Sequence, residues 1–376
     1  MRILILSCNT GEGHNSCAKA LKEVFDSKGH YCIIEDALGF ISNSASNVIS
    51  KGHIFIYRHF PGLFRRGYRY AENHPKAYCK GSALYNYFCS CKQRLAQYID
   101  SGDFDSVICT HVFAGVMLTE AKKLCKTDYY TAFVGTDYTC SPTTEAGNLD
   151  VYFIPDDTLK KEFTDYGIPE SKLVSSGIPV RQMFYTCTDK NTAKTAEGIN
   201  KTHTHLLVMS GSMGCGPVNK LVFLIAKGLS KNEEMTVVCG TNKRLQKALS
   251  KRYKKSPNIH IKGYVSDMST LMDSADLYLT KPGGISVSEA KQKHLPMAFV
   301  DAVAGCEEYN CRFFVDRECA VFEKSIISLS KQCILLLHDT KKRLNFKQSF
   351  EYLDNKNSAQ YISDYITDRV LFKKAL

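Results

Sequence analysis

The stretch Leu279-Thr-Lys-Pro-Gly-Gly-Ile-Ser-Val-Ser-Glu-Ala290 permits few folds, because an apolar run that reads as a strand meets a double glycine and continues as a helix. Strand-turn-helix units of this kind belong to α/β architectures, in which parallel strands are joined by crossover helices. Gly283 and Gly284 let the backbone pass close to a ligand, and the N–H groups that open the following helix lack intrahelical acceptors. With the helix dipole they suit an anion, best of all a phosphate, and need no metal to hold the charge. Glu289 lies about one and a half turns further on, within reach of a group attached to that phosphate such as a ribose diol. The plainer reading of the same residues is a turn that only closes a βα unit.

The chain opens with a second unit of this type. Arg2 to Ser7 reads as a buried strand, Asn9-Thr-Gly-Glu-Gly-His-Asn-Ser16 as a turn into a helix, and Tyr31 to Glu35 as the next strand. Gly11 and Gly13 are spaced for a tight turn like that of a dinucleotide fingerprint, with Glu35 or Asp36 as the ribose-binding acid, but Ser16 replaces the third glycine. His14 stands at the carboxyl ends of the strands, where an imidazole faces the ligand crevice; capping the helix is the alternative. Further strands end near Thr110 and Val134, the second followed by Gly135-Thr-Asp-Tyr138, which puts Asp137 on the crevice side.

A fresh α/β run begins at His205, whose strand leads into Gly211-Ser-Met-Gly-Cys-Gly216, and continues through Gly263-Tyr-Val-Ser-Asp-Met268 to the double glycine. The pattern predicts two Rossmann-like domains with parallel sheets and a ligand cleft between them. We place the first domain over 1–185, a Thr- and Lys-rich linker over 186–204, the second domain over 205–345 and C-terminal helices over 346–376, which have the option of returning to the first domain.

A formal charge of +11 calls for an anionic partner: nucleic acid, an acidic membrane surface or a phosphorylated ligand. The 16 cysteines show no zinc spacing, which excludes a zinc-ribbon reading and fits a reducing cytosol. No run approaches the roughly 18 apolar residues of a spanning helix, so membrane contact is expected to be peripheral. The stretch from Ser50 to Arg94 interleaves aromatics with cations around the single acid Glu72. Within it Phe64, Arg65, Arg66, Tyr68 and Arg69 form the candidate contact with an anionic membrane. Stacking on RNA, or a helical pair packed on the sheet with a basic outer face, are the competing readings.

Thr10-Gly-Glu-Gly-His14, Thr136-Asp-Tyr138, Gly177-Ile-Pro-Val-Arg181, Gly211-Ser-Met-Gly214, Lys281-Pro-Gly-Gly-Ile-Ser-Val-Ser-Glu289 and Gly305-Cys-Glu-Glu-Tyr-Asn310 occur in that order. This series resembles the monogalactosyldiacylglycerol synthase and processive diacylglycerol glucosyltransferase family, related to the peptidoglycan glucosaminyltransferases. The resemblance implies a GT-B fold, a UDP-hexose donor held by the second domain, a lipid acceptor such as diacylglycerol met by the first, and inversion at the anomeric carbon with no required cofactor or metal. It further implies that Gly283, Gly284 and Ile285 face the pyrophosphate and Glu289 the ribose. Tyr264 and Val265, with Met268 nearby, would hold uracil; Gly211, Ser212, Met213, Gly214 and Arg181 would line the phosphate side; Glu307, Glu308 and Asn310 would face the sugar. The chain departs from the family pattern at Cys306, where Gln is usual, and at Ser141 and Thr144, where His and Trp are usual. Inverting transfer needs a general base at the acceptor, and His14 or Asp137 would serve, beside the glycine loop of Gly11 and Gly13. The rival classes are a nicotinamide-dependent dehydrogenase using Gly11, Gly13 and Glu35, which leaves the second glycine system and Glu289 unexplained, a UDP-sugar epimerase, and a non-catalytic binder of UDP-sugar, membrane or RNA; no nucleic acid is expected for the transferase, which would work from the cytoplasm on the inner face of the membrane.

Overall fold

A computed structural model describes residues 1–42, 48–49, 52, 55–56, 60–74, 80–209, 217–300 and 305–375, except the side chains of Pro61 and Phe64. The chain forms two compact units. One comprises Met1–Gln182, Ala304–Cys306 and Lys356–Leu376; the other comprises Met183–Val303 and Glu307–Asn355.

In the first unit β1 (Arg2–Ser7), β2 (Tyr31–Asp36), β3 (Ser106–Cys109), β4 (Tyr130–Val134), β5 (Val151–Ile154) and β6 (Leu173–Ser175) make one parallel sheet in the order β2-β1-β3-β4-β5-β6. Ile3, Leu4, Ile5 and Leu6 are all fully buried, as expected of a parallel strand covered on both faces. Leu4, Leu6, Val107 and Phe133 share a core with Leu95, Ile99, Met117 and Leu118 of the crossover helices. The order reverses direction between β1 and β3, and such a switch point opens a crevice at the carboxyl ends of its strands.

The second unit repeats the plan with β7 (Thr204–Met209), β8 (Glu233–Val238), β9 (Ile259–Lys262), β10 (Leu277–Thr280), β11 (Met297–Phe299) and β12 (Ala320–Phe322), ordered β12-β11-β10-β7-β8-β9. Its switch point lies between β7 and β10, and the carboxyl end of β10 leads into the Lys281–Gly284 turn. Sheet connectivity therefore puts the Lys281–Gly284 turn where this fold binds ligands.

The last helix, Ser358–Ala375, belongs to the first unit, whereas Ile326–His338 and Thr340–Ser349 stay with the second. It is held by ion pairs of Lys28 with Asp364 (2.6 Å), Lys373 with Asp128 and Lys374 with Asp105, and by the Tyr365 ring on Phe153. Gly177 allows the approach: its φ is +78°, and a Cβ there would lie 2.4 Å from Ser358 Oγ. Residues 186–204 differ from the linker expected of them. They hold a helix, Lys190–Glu197, capped by Asp189, whose carboxylate accepts from Thr192 N at 3.0 Å. Thr188 N donates to Asp273, Lys190 and the buried Lys194 pair with Asp276, and Ala193 is fully buried. Polar pairing fastens this segment to the second unit, so its low apolar content misled the reading. Among the described residues no helix is long and apolar enough to cross a membrane.

Candidate active site

In the first unit three strand ends converge on one imidazole. His14 lies in the first turn of the helix Glu12–Ser27 that follows β1. Its Nδ1 is 2.8 Å from the carbonyl oxygen of Thr110, which follows β3, and 3.0 Å from the hydroxyl of Thr136, which follows β4. A carbonyl only accepts, so Nδ1 carries a hydrogen, and in the neutral ring the lone pair is then on Nε2. The His111 ring meets that of His14 edge-on, with centroids 4.5 Å apart, and is itself oriented because its Nδ1 accepts from Phe113 N at 3.1 Å. Asp137 follows Thr136 directly and is half-buried. The sequence reading singled out His14 and Asp137 but missed Thr110, His111 and Thr136 as the partners of His14. Their position just past β3 and β4 was the available signal.

The glycine loop itself works differently from a dinucleotide turn. Gly11 has an extended backbone (φ −175°, ψ 157°) that any residue adopts, and a Cβ there would meet nothing within 4 Å. Gly11 therefore leaves space and relieves no strain. Glu12 in the first helical turn competes with any anion at that helix start. The candidate ribose acids are engaged as well: Glu35 accepts from Tyr98 OH at 3.0 Å, and Asp36 accepts from Asn9 Nδ2 and Leu38 N.

In the second unit β10 runs into the turn before the helix Gly284–Gln292, with Gly283 as the extended N-cap residue and no capping side chain. Val287 N to Gly283 O, at 3.0 Å, is the first bond of that helix, which leaves the N–H groups of Gly284, Ile285 and Ser286 without intrahelical acceptors. A Cβ on Gly283 would meet nothing within 4 Å, so the approach to the turn is open. Ile285 and Glu289 are half-buried on the same helix. Tyr264, just past β9, is 74% exposed, with Val265 beside it and Met268 opening the helix Met268–Ser274. Glu307 and Glu308 lie half-buried in the first turn of the helix Cys306–Val315. Gly211, Ser212, Met213 and Gly214 lie outside the described residues.

Three assignments change. Arg181, expected beside the phosphates, has Nε 2.7 Å from Glu23 Oε1 within the first unit, so a carboxylate already offsets its charge. Asn310, expected to face the sugar, is fully buried and donates through Nδ2 to the Pro282 carbonyl at 3.0 Å. Tyr68, expected at a membrane, is half-buried, with its OH 3.2 Å from the Sγ of Cys306. Cys306 clusters with the first unit, where Ser141 Oγ lies 3.4 Å from it; burial, and then the charge of Asp137, push its thiol pKa up and keep it protonated.

The basic aromatic stretch divides by face. Tyr85 is buried on Glu120 (2.6 Å) and Phe88 is buried against Phe113, so both are core residues. On the helix Pro61–Asn73, Ala71 is buried while Leu63, Arg65, Arg66, Arg69 and Tyr70 are exposed. Phe64, whose side chain is outside the description, carries no structural argument.

Two Rossmann-like units, one with an imidazole at its switch point and one with an open helix N-terminus near a carboxylate, make up a GT-B fold. The chain is similar in structure to Acinetobacter baumannii MurG, with a TM-score of 0.67 at 14% identity over 98% of this chain and 99% of that one. It is also similar, with a TM-score of 0.63 at 10% identity over 99% of this chain and 97% of that one, to a Listeria monocytogenes protein described as a UDP-N-acetylglucosamine 2-epimerase. Fold alone therefore leaves transfer and epimerisation together. The family models separate them: residues 14–180 match monogalactosyldiacylglycerol (MGDG) synthase, and residues 205–360 match the glycosyltransferase family 28 C-terminal domain. The chain belongs to the MGDG synthase and processive diacylglycerol glucosyltransferase family and is a glycosyltransferase. The processive diacylglycerol beta-glucosyltransferase of Bacillus pumilus (strain SAFR-032) is 28% identical to it over 387 residues, covering 100% of this chain and 98% of that protein.

Proposed function

We propose that the protein transfers a hexose from a UDP-sugar to the hydroxyl of diacylglycerol or a glycosyldiacylglycerol, with inversion, at the inner face of the membrane. The observation that carries this reading is the contact of His14 Nδ1 with the Thr110 carbonyl oxygen at 2.8 Å, which in the neutral ring makes Nε2 the basic nitrogen and suits it to act as a general base. The acceptor oxygen attacks the anomeric carbon and gives its proton to Nε2 as the bond from that carbon to the diphosphate breaks, its electron pair leaving with UDP. Negative charge then grows on the diphosphate. The N–H groups of Gly284, Ile285 and Ser286 and the helix dipole stabilise it without a metal. Glu289 accepts the ribose hydroxyls, and the exposed ring of Tyr264 packs on uracil. Curated relatives are named for diacylglycerol glucosyl transfer, which supports the lipid acceptor. A non-catalytic binder would have no use for an imidazole oriented by two neighbouring strands.

Calorimetry with UDP tests the donor half. UDP affinity is expected to be unchanged by EDTA and to fall at least about tenfold in Glu289→Ala, the loss of hydrogen bonds to a charged group. Affinity abolished by EDTA, or unaltered in Glu289→Ala, would remove the site from this turn.

A further inference from the structure

We infer that Asn310 is a positioning residue that holds the phosphate turn in shape from beneath. The proposal rests on the reading of that turn as the diphosphate site and deepens it.

Two consecutive carbonyls of the turn are bonded to side chains of the second unit. Asn310 Nδ2 donates to Pro282 O at 3.0 Å, and Thr280 Oγ1 donates to Lys281 O at 3.2 Å. Asn310 and Thr280 are both fully buried. Thr280 Oγ1 is in turn 3.4 Å from Ser286 Oγ, which is 2.9 Å from the hydroxyl of the fully buried Tyr278. The network thus runs from β10, under the turn, to the first turn of the helix and on to the helix Cys306–Val315.

A peptide group is planar, so fixing the Pro282 carbonyl fixes the direction of the Gly283 N–H across the same plane. That N–H donates back to Lys281 O at 2.9 Å, closing a tight turn that sets the angle at which the chain enters the helix. The entry angle decides where the N–H groups of Gly284, Ile285 and Ser286 point. Glycine gives this turn no rigidity of its own, since Gly283 has no side chain to pack and open space on its Cβ side. The stiffness must come from outside the turn, and Asn310 supplies it from a helix about 28 residues further along the chain. Breaking the bond leaves a buried carbonyl unpaired and the donor array free to reorient, at the cost of anion affinity.

Asn310→Leu keeps the branched heavy-atom shape of the side chain and removes the donor. The expected result is UDP affinity about five- to tenfold weaker by calorimetry, with UDP-glucose weakened by the same factor. Amide exchange at 284–286 should quicken while exchange in β7 and β8 stays slow. Thr280→Val, which removes the other donor, should reproduce the loss with Asn310 intact and keeps the test open if Asn310→Leu does not fold. UDP affinity unchanged in both variants overturns the proposal, as does a loss confined to UDP-glucose, which would return Asn310 to the sugar. Failure of the unaltered protein to bind UDP would instead overturn the diphosphate reading on which the proposal stands.

Discussion

His14→Ala is expected to lower the rate of sugar transfer by about 10²- to 10⁴-fold while leaving UDP affinity within about twofold of the unaltered protein. The size follows from removing a positioned base, and the selectivity follows from location. His14 belongs to the first unit, at the switch point between β1 and β3, whereas the turn proposed to bind UDP belongs to the second. Its Nδ1 hydrogen is directed at Thr110 O and Thr136 Oγ1, so the imidazolium formed on proton uptake is stabilised by two oxygen dipoles. His14→Gln, which keeps polarity and approximate size, should be as impaired as His14→Ala, because neither amide atom is basic. Turnover assays with UDP-glucose and diacylglycerol in mixed micelles, beside UDP calorimetry, measure both halves. Near-normal turnover in both variants would pass the base to Asp137, and Asp137→Asn would then carry the large loss.

The triple variant Arg65→Gln, Arg66→Gln and Arg69→Gln is expected to weaken binding to anionic vesicles by about 10²-fold and to change binding to neutral vesicles little. Each cation near an anionic surface contributes about 1 kcal/mol, and three such contributions correspond to roughly two orders of magnitude in affinity. All three lie on the exposed side of the helix Pro61–Asn73 with Leu63 and Tyr70, so charge attraction and shallow insertion act from one face. Salt provides a second axis: binding of the unaltered protein should weaken as ionic strength rises and the Debye length shortens from about 10 Å at 0.1 M. Vesicle flotation at low and high salt reads both effects. Equal binding to neutral and anionic vesicles, or no loss in the triple variant, would leave the helix a packed element with a basic outer face. Selective capture of single-stranded RNA would move the patch to a different class of partner.

By itself the sequence determined the α/β class, the duplicated Rossmann-like plan and most of the strands. Buried parallel strands are continuous apolar runs, and glycine turns are written in adjacent residues, so both are local signals. Ile3 to Leu6 and the Lys281-Pro-Gly-Gly turn needed no tertiary information. The strands β6, β11 and β12 escaped because three residues each are too few to show a pattern. The segment 186–204 escaped because a backbone hydrogen bond to Asp273 and ion pairs to Asp276, both distant in the chain, replace the apolar stripe that would have marked a helix. What only the tertiary structure decided is which partners each site residue meets. Thr110 and Thr136 reach His14 across about 96 and 122 residues of chain, and the Pro282 carbonyl reaches Asn310 across 28. Composition likewise shows Tyr68, Tyr85 and Phe88 as aromatics among cations, and only packing turns the first toward Cys306 and the other two into the core. Local sequence specifies backbone preference and polarity, whereas the direction of a side chain depends on neighbours that folding alone brings together.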